Sequence, residues 1–214
     1  MKGLIYKDLY NLAKNLGLMA VMMVVMSVFF MENGSAFLAS YLIIMGSMMV
    51  VTTMSYDDLA KWDNFALTLP LSRRDMVLGK YGTMLAMNLL AALCAVLISA
   101  VMGTATGTLA LLEILLTTAV SLAIGLIYGA ITLPAIYKFG TEKARLILIL
   151  LTMSPTFLLI TVFKYLPDGT VSAMADRLST LSPLLLGGGA VILVAVVLLA
   201  SLQLSIKIYE KKEF

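Results

Sequence analysis

The sequence predicts an all-α integral membrane protein: six spanning helices in a single transmembrane domain over residues 1–214. Three observations carry that reading. Hydrophobic residues make up 61% of the chain and the mean hydropathy is +1.02, more apolar side chain than a soluble core of this size hides from water. The apolar residues fall into six runs, each reaching or approaching the roughly 20 residues that cross about 30 Å of hydrocarbon. Lysine and arginine then segregate on the resulting map. One side receives thirteen of the fifteen, and the other only Lys164 and Arg177. By the positive-inside rule the thirteen face the cytoplasm, together with both termini.

The elements follow in order. Residues 1–15, MKGLIYKDLYNLAKN, begin a pattern that sets Ile5, Leu9, Leu12 and Leu16 at helical spacing, with Lys2, Lys7 and Lys14 off the stripe. This predicts an N-terminal amphipathic helix in the headgroup layer, apolar side down; the alternative is the first turns of a long membrane helix. The stretch does not read as a cleavable signal, because it lacks a short basic tip followed by an apolar core. The first span, 16–31, is slightly short, and Lys14 can snorkel at its start. Glu32, Asn33 and Gly34 make an outer turn before the second span, 36–55. After a polar interval comes the third span, 81–102, then an uncharged GTATGT turn and the fourth span, 109–134. A second charged interval, YKFGTEKAR at 137–145, has Gly140 as a break and Thr141 as a helix start. The fifth span, 144–163, contains Pro155, a predicted kink. A polar loop to Ser182, the sixth span, 183–206, and a charged tail complete the chain.

Several chemistries are excluded. There is no histidine, which removes imidazole metal sites and histidine acid–base catalysis. The single cysteine, Cys94, lies in an apolar run and forms no intrachain disulfide. No G-x-x-x-x-G-K-[ST] occurs, so the chain does not cradle nucleotide phosphates by itself. A net charge of +3 placed by topology gives no reason to expect nucleic acid. Glu113 is the only acidic residue well inside a span. Its place near the start of a helix favours a structural role through the dipole, with attraction of a cationic substrate as the alternative. Met19, Met22, Met23 and Met26 recur at helical spacing in the first span. Without histidine or a nearby thiolate, adaptable packing is a better reading than Cu(I) ligation, and a pliant lining for amphipathic cargo stands between the two.

The most informative stretch is Tyr56 to Tyr81, YDDLAKWDNFALTLPLSRRDMVLGKY, the longest polar interval in the chain. Leu59, Trp62, Phe65, Ala66 and Leu69 are expected on one side of a short helix that Pro70 ends. Ser72 with Asp75 forms a capping box that starts a helix running into the third span. Arg73 and Arg74 stand where the helix dipole prefers anions, a local cost offset by positive-inside placement or by an acidic partner surface. The null case is a topogenic loop with Trp62 in the aromatic belt. Its length argues for more, since a connection that only reverses the chain needs a few residues.

Together, KDLYNL, the 56–81 interval, PAIYKFGTEKAR and the closing IYEKKEF resemble the permease subunits of type-2 ABC exporters, and within them the small bacterial branch associated with peptide and bacteriocin export. The resemblance covers nearly the whole chain, and WDNFALTLPLSRRD is its most specific block. It implies six spans, an interfacial N-terminal helix, a second permease of the same or related sequence, and a separate ATPase subunit that holds ATP and Mg. It also implies coupling elements that dock the ATPase: Asp57, Asp58, Lys61, Trp62 and Phe65 in the first, continued by Arg73 and Arg74, and Phe139, Thr141, Glu142 and Lys143 in the second. The family often carries glutamate where Asp58 stands. Glu113, Met19, Met22 and Met26 are the candidates for a substrate path. The rival reading is a stand-alone membrane protein, a secondary transporter or assembly scaffold. An ion-coupled carrier is expected to show mid-membrane ionisable groups and broken helices; here mid-membrane charge is absent and only Pro155 suggests a break.

Overall fold

The computed structural model describes residues 2–29, 35–66, 68–106, 110–165 and 183–212, which form six helices and no strand. These are α1 (Lys2–Phe29), α2 (Ser35–Leu59), α3 (Trp62–Ala66), α4 (Arg73–Thr106), α5 (Leu111–Tyr165) and α6 (Pro183–Glu210). Four stretches are long and apolar enough to cross a bilayer: Phe37–Leu59, Arg73–Thr104, Leu111–Lys143 and Gly187–Glu210. This is an all-helical, multi-pass membrane protein.

At the centre α2, α4 and α5 pack on one another; α6 lies against α5 and α4, and α1 against α4 and α2. In hydrocarbon, burial of apolar side chains does not drive helices together, so small residues and buried hydrogen bonds do. The triple crossing is built that way. Gly46 lies against Ala91 and the Met87 backbone, and a Cβ on Gly125 would run into Ile43 and Asn88. Ser47 Oγ donates to Asn88 Oδ1 at 2.9 Å, with the Gly125 carbonyl at 3.1 Å as a second acceptor, and Asn88 Nδ2 donates to the Met84 carbonyl at 3.0 Å. Nearer the start of α4, the Tyr81 hydroxyl meets Ser201 at 2.6 Å and Ser205 at 2.9 Å, joining α4 to α6. Leu85, Leu89, Leu93 and Leu97 repeat every four residues on the outer face of α4, and Leu112, Leu116, Val120 and Ile124 do so on α5. Those exposed stripes face lipid.

The helices outrun several expected limits. α2 continues to Leu59, a turn past the expected end of the second span, and α4 includes the first four residues of GTATGT, to Thr106, where a turn was expected. α5 passes Pro134 and stays helical to Phe139. The reason is common to all three: a helix satisfies its backbone internally and an open turn near hydrocarbon does not. α1 is likewise one unbroken helix from Lys2, without a joint between an interfacial stretch and a span. Its stripe does not lie on lipid throughout, because Leu4 and Ile5 pack over Gly79 and Gly82 of α4 and Leu12 is buried. The exposed face carries Tyr6, Tyr10 and Ala13 instead. The outer turn at 32–34, the outer loop from 166 to 182 and the side chains of Met19, Met23, Arg145 and Pro155 lie outside the described residues.

Candidate functional site

The long polar interval folds by local rules up to a point. α2 ends at Leu59, and the next turn closes with Ala60 N–H on the Tyr56 carbonyl (3.0 Å) and Lys61 N–H on the Asp58 carbonyl (3.1 Å). Lys61 takes φ 49°, the left-handed conformation that commonly ends a helix. α3 then begins at Trp62. The single helix expected over this stretch is therefore two, and its apolar stripe divides. Ala66 is buried and Trp62 half-buried, whereas Leu59 is 82% exposed and Phe65 56%. The reversal at Lys61 reorients α3 relative to α2, so residues on one helical stripe no longer share a face.

The capping box forms as expected. Asp75 N–H donates to Ser72 Oγ at 3.1 Å, Ser72 N–H to Asp75 Oδ2 at 3.2 Å, and Ser72 Oγ to the same oxygen at 2.6 Å. Arg73 resolves the dipole conflict differently from either expectation. Its guanidinium turns to the end of α6 and donates to the carbonyls of Glu210 (2.6 Å), Lys212 (3.0 Å) and Tyr209 (3.4 Å). A cation at the start of α4 thus caps the negative end of α6. Arg74 stays exposed.

Beneath this surface lies a network that no single stretch of sequence predicts. Asp8 of α1, 1% exposed, accepts from Lys80 of α4 through both oxygens at 2.9 Å and from Thr83 at 3.2 Å. Lys80 also reaches Asp57 Oδ2 at 2.6 Å and Thr53 at 3.3 Å, which occupies all three ammonium protons. Lys7 completes the set, 2.7 Å from Asp57 and 3.2 Å from Asp8, with its ammonium 4.2 Å from the centre of the Trp62 ring. Two acids and two bases balance, which is what makes burial of Asp8 and Lys80, with Lys7 and Asp57 half-buried beside them, tolerable. The readable trace was Asp8 itself, a carboxylate beside Leu12 on the apolar side of α1.

A small cleft of about 40 Å³ opens over the network and admits Asp58, Asp63 and Lys212 to its wall. The Asp63 carboxyl is pushed above the usual carboxylate range, chiefly by burial; a hydrogen bond from Tyr209 and the nearby Lys212 ammonium, 3.8 Å away, oppose that shift only in part.

The second charged interval is built on one residue. Gly140 interrupts α5 with φ 79° and ψ 166°, a backbone conformation essentially confined to glycine. The bend carries Phe139, Thr141, Glu142 and Lys143 to the end of α2, where they share an open cleft of about 520 Å³ with Ser55, Asp58 and Leu59. The two intervals read separately in the sequence thus meet at Asp58. The substrate-path candidates do not converge in this chain. Glu113 is exposed in the first turn of α5, and Met22 and Met26 lie on α1, which does not pack on α5 among the described residues. No group of three or more metal-ligating side chains occurs among the described residues.

Residues 3–210 match the sequence model of a family described as ABC-2 family transporter protein. No curated protein matches the chain.

Proposed function

We propose that this chain, which belongs to the ABC-2 family of transporter proteins, is the permease subunit of an ATP-driven exporter. It is not itself catalytic, and a separate ATPase subunit binding ATP and Mg docks on its cytoplasmic face. The observation that carries this reading is the open cleft shared by the end of α2 and the Gly140 bend, where Leu59 and Phe139 stand exposed beside Asp58, Glu142 and Lys143. Exposed apolar side chains ringed by charge at the water-facing end of a membrane bundle suit a protein partner. ATPase closure would push on α3 and on the bend, and the bundle would answer by rigid-body repacking. The six-span count, with both termini cytoplasmic in a bacterial cell membrane, draws support from the thirteen-to-two split of basic residues. α1 and the 141–165 arm of α5 supply the two further spans. A second permease, the same or related, completes the path. The cargo class, amphipathic peptide, rests on the likeness of the cytoplasmic blocks to peptide-exporting permeases.

A detergent pull-down of the tagged chain from its native cells, followed by mass spectrometry, tests the class. Stoichiometric recovery of a nucleotide-binding subunit is expected; recovery of the permease alone favours the stand-alone reading. Trp62→Ala is expected to lower that recovery about tenfold, the equivalent of ~1.4 kcal/mol, with the amount of inserted permease unchanged. Unaltered recovery removes Trp62 from the docking surface.

A further inference from the structure

We infer that Asp8 and Lys80 are positioning residues: they act through Asp57 and Lys7 to hold Trp62, and with it α3, in one fixed place on the cytoplasmic face. The inference rests on the docking reading for its purpose but not for its geometry.

The chain of contacts is continuous. Lys80 bonds Asp8 and Asp57 at once, Asp57 bonds Lys7, and the Lys7 ammonium sits over the Trp62 ring. Four helices are joined by it, through residues 72 and 50 positions apart in sequence. α3 is also held at Asp63, which accepts from Tyr209 and pairs with Lys212, and Trp62 rests on the main apolar cluster. Among the described residues, however, only the Lys7 contact ties the Trp62 end of α3 to the buried ion pairs. α3 is a helix of five residues, too short to persist alone, and its one buried residue is Ala66. Phe65 touches Trp62, with ring centres 5.4 Å apart, but is itself exposed. The pairs Lys7–Asp57 and Lys80–Asp8 differ in role. The first touches the Trp62 side; the second fastens that side to α4 and α1. An element ordered before its partner arrives does not lose that ordering free energy on binding.

The double variant D8N/K80M separates positioning from folding. It removes one acid and one base together, leaves Lys7 paired with Asp57, and avoids the isolated buried charge that makes single changes damaging. Because Trp62 is the only tryptophan in the chain, its fluorescence reports this site alone. In nanodiscs of phosphatidylethanolamine and phosphatidylglycerol, without any partner, the acrylamide quenching constant of Trp62 is expected to rise about twofold in D8N/K80M as α3 opens locally. Helicity and thermal midpoint stay near those of the parent, and K80R keeps the parent quenching constant, a rescue that a packing role alone does not require. Should D8N/K80M fail to insert, Thr83→Val, which removes one hydrogen bond to Asp8, is read instead and is expected to give a smaller rise. Parent-like quenching in the variant that is read overturns the inference. The docking reading fails separately: if the parent chain recovers no ATPase subunit, the quenching result stands unaffected.

Discussion

The two polar segments, 56–81 and 137–145, solve the same geometric problem, presenting side chains at the end of a membrane bundle, by opposite means. The 56–81 segment is tied down. Its Asp57 and Lys80 are spent on Lys7, Asp8 and each other, and Arg73 fastens the start of α4 to the end of α6. The 137–145 segment is anchored at one end by Tyr137, buried against Tyr209, and beyond that turns on the backbone conformation of Gly140. A Cβ at Gly140 would meet nothing within 4 Å, and Phe139, Glu142 and Lys143 remain exposed. Position enforced by long-range ion pairs is rigid and costly to alter. Position enforced by one residue's φ and ψ leaves the side chains around it free to fit a partner.

The contrast is open to direct attack. The largest expected effect is Lys80→Met alone, which leaves Asp8 and Asp57 sharing Lys7 in a buried site; breaking a buried pair in this way costs about 3–5 kcal/mol. A collapse in folded yield and in the apparent thermal midpoint in detergent is the expected result, and a midpoint equal to the parent's would mean that the first segment is no more firmly tied than the second. Gly140→Ala comes next. Forcing a Cβ into that region of backbone space costs about 1–3 kcal/mol, read as a lowered midpoint. No change would mean that the arm straightens into continuous helix, which would close the difference between the segments from the other side. The smallest effect belongs to Asp63. Because its native pKa is raised, the protonated form favours folding, and that contribution is full below the ordinary carboxylate pKa and lost as pH rises through the native value. Asp63→Asn is therefore expected to raise the midpoint slightly at pH 8 and to leave it unchanged near pH 3. A fall at pH 8 would show that the ion pair with Lys212 outweighs burial.

What was legible in the sequence was local. Ser72 and Asp75 are three residues apart and close their box by reach alone, and Gly140 breaks its helix because other residues seldom adopt that conformation. The stripe through Leu59, Trp62, Phe65 and Leu69 misled because periodicity assumes one helix, and the left-handed Lys61 divides it. Lys7 and Lys80 were counted as positive-inside charges, a sum that holds without knowing what each one touches.

By itself, then, the sequence determined the all-helical membrane class, the cap that starts α4 and the break at Gly140, since these depend on apolar length and on backbone preferences within a few residues. Only the tertiary structure decided that Asp8 belongs with Lys80, Arg73 with the end of α6, and Asp58 with the Gly140 bend. A helical pattern fixes which residues share a stripe, but not how each helix is rotated and set against its neighbours, and every one of those pairings depends on that choice.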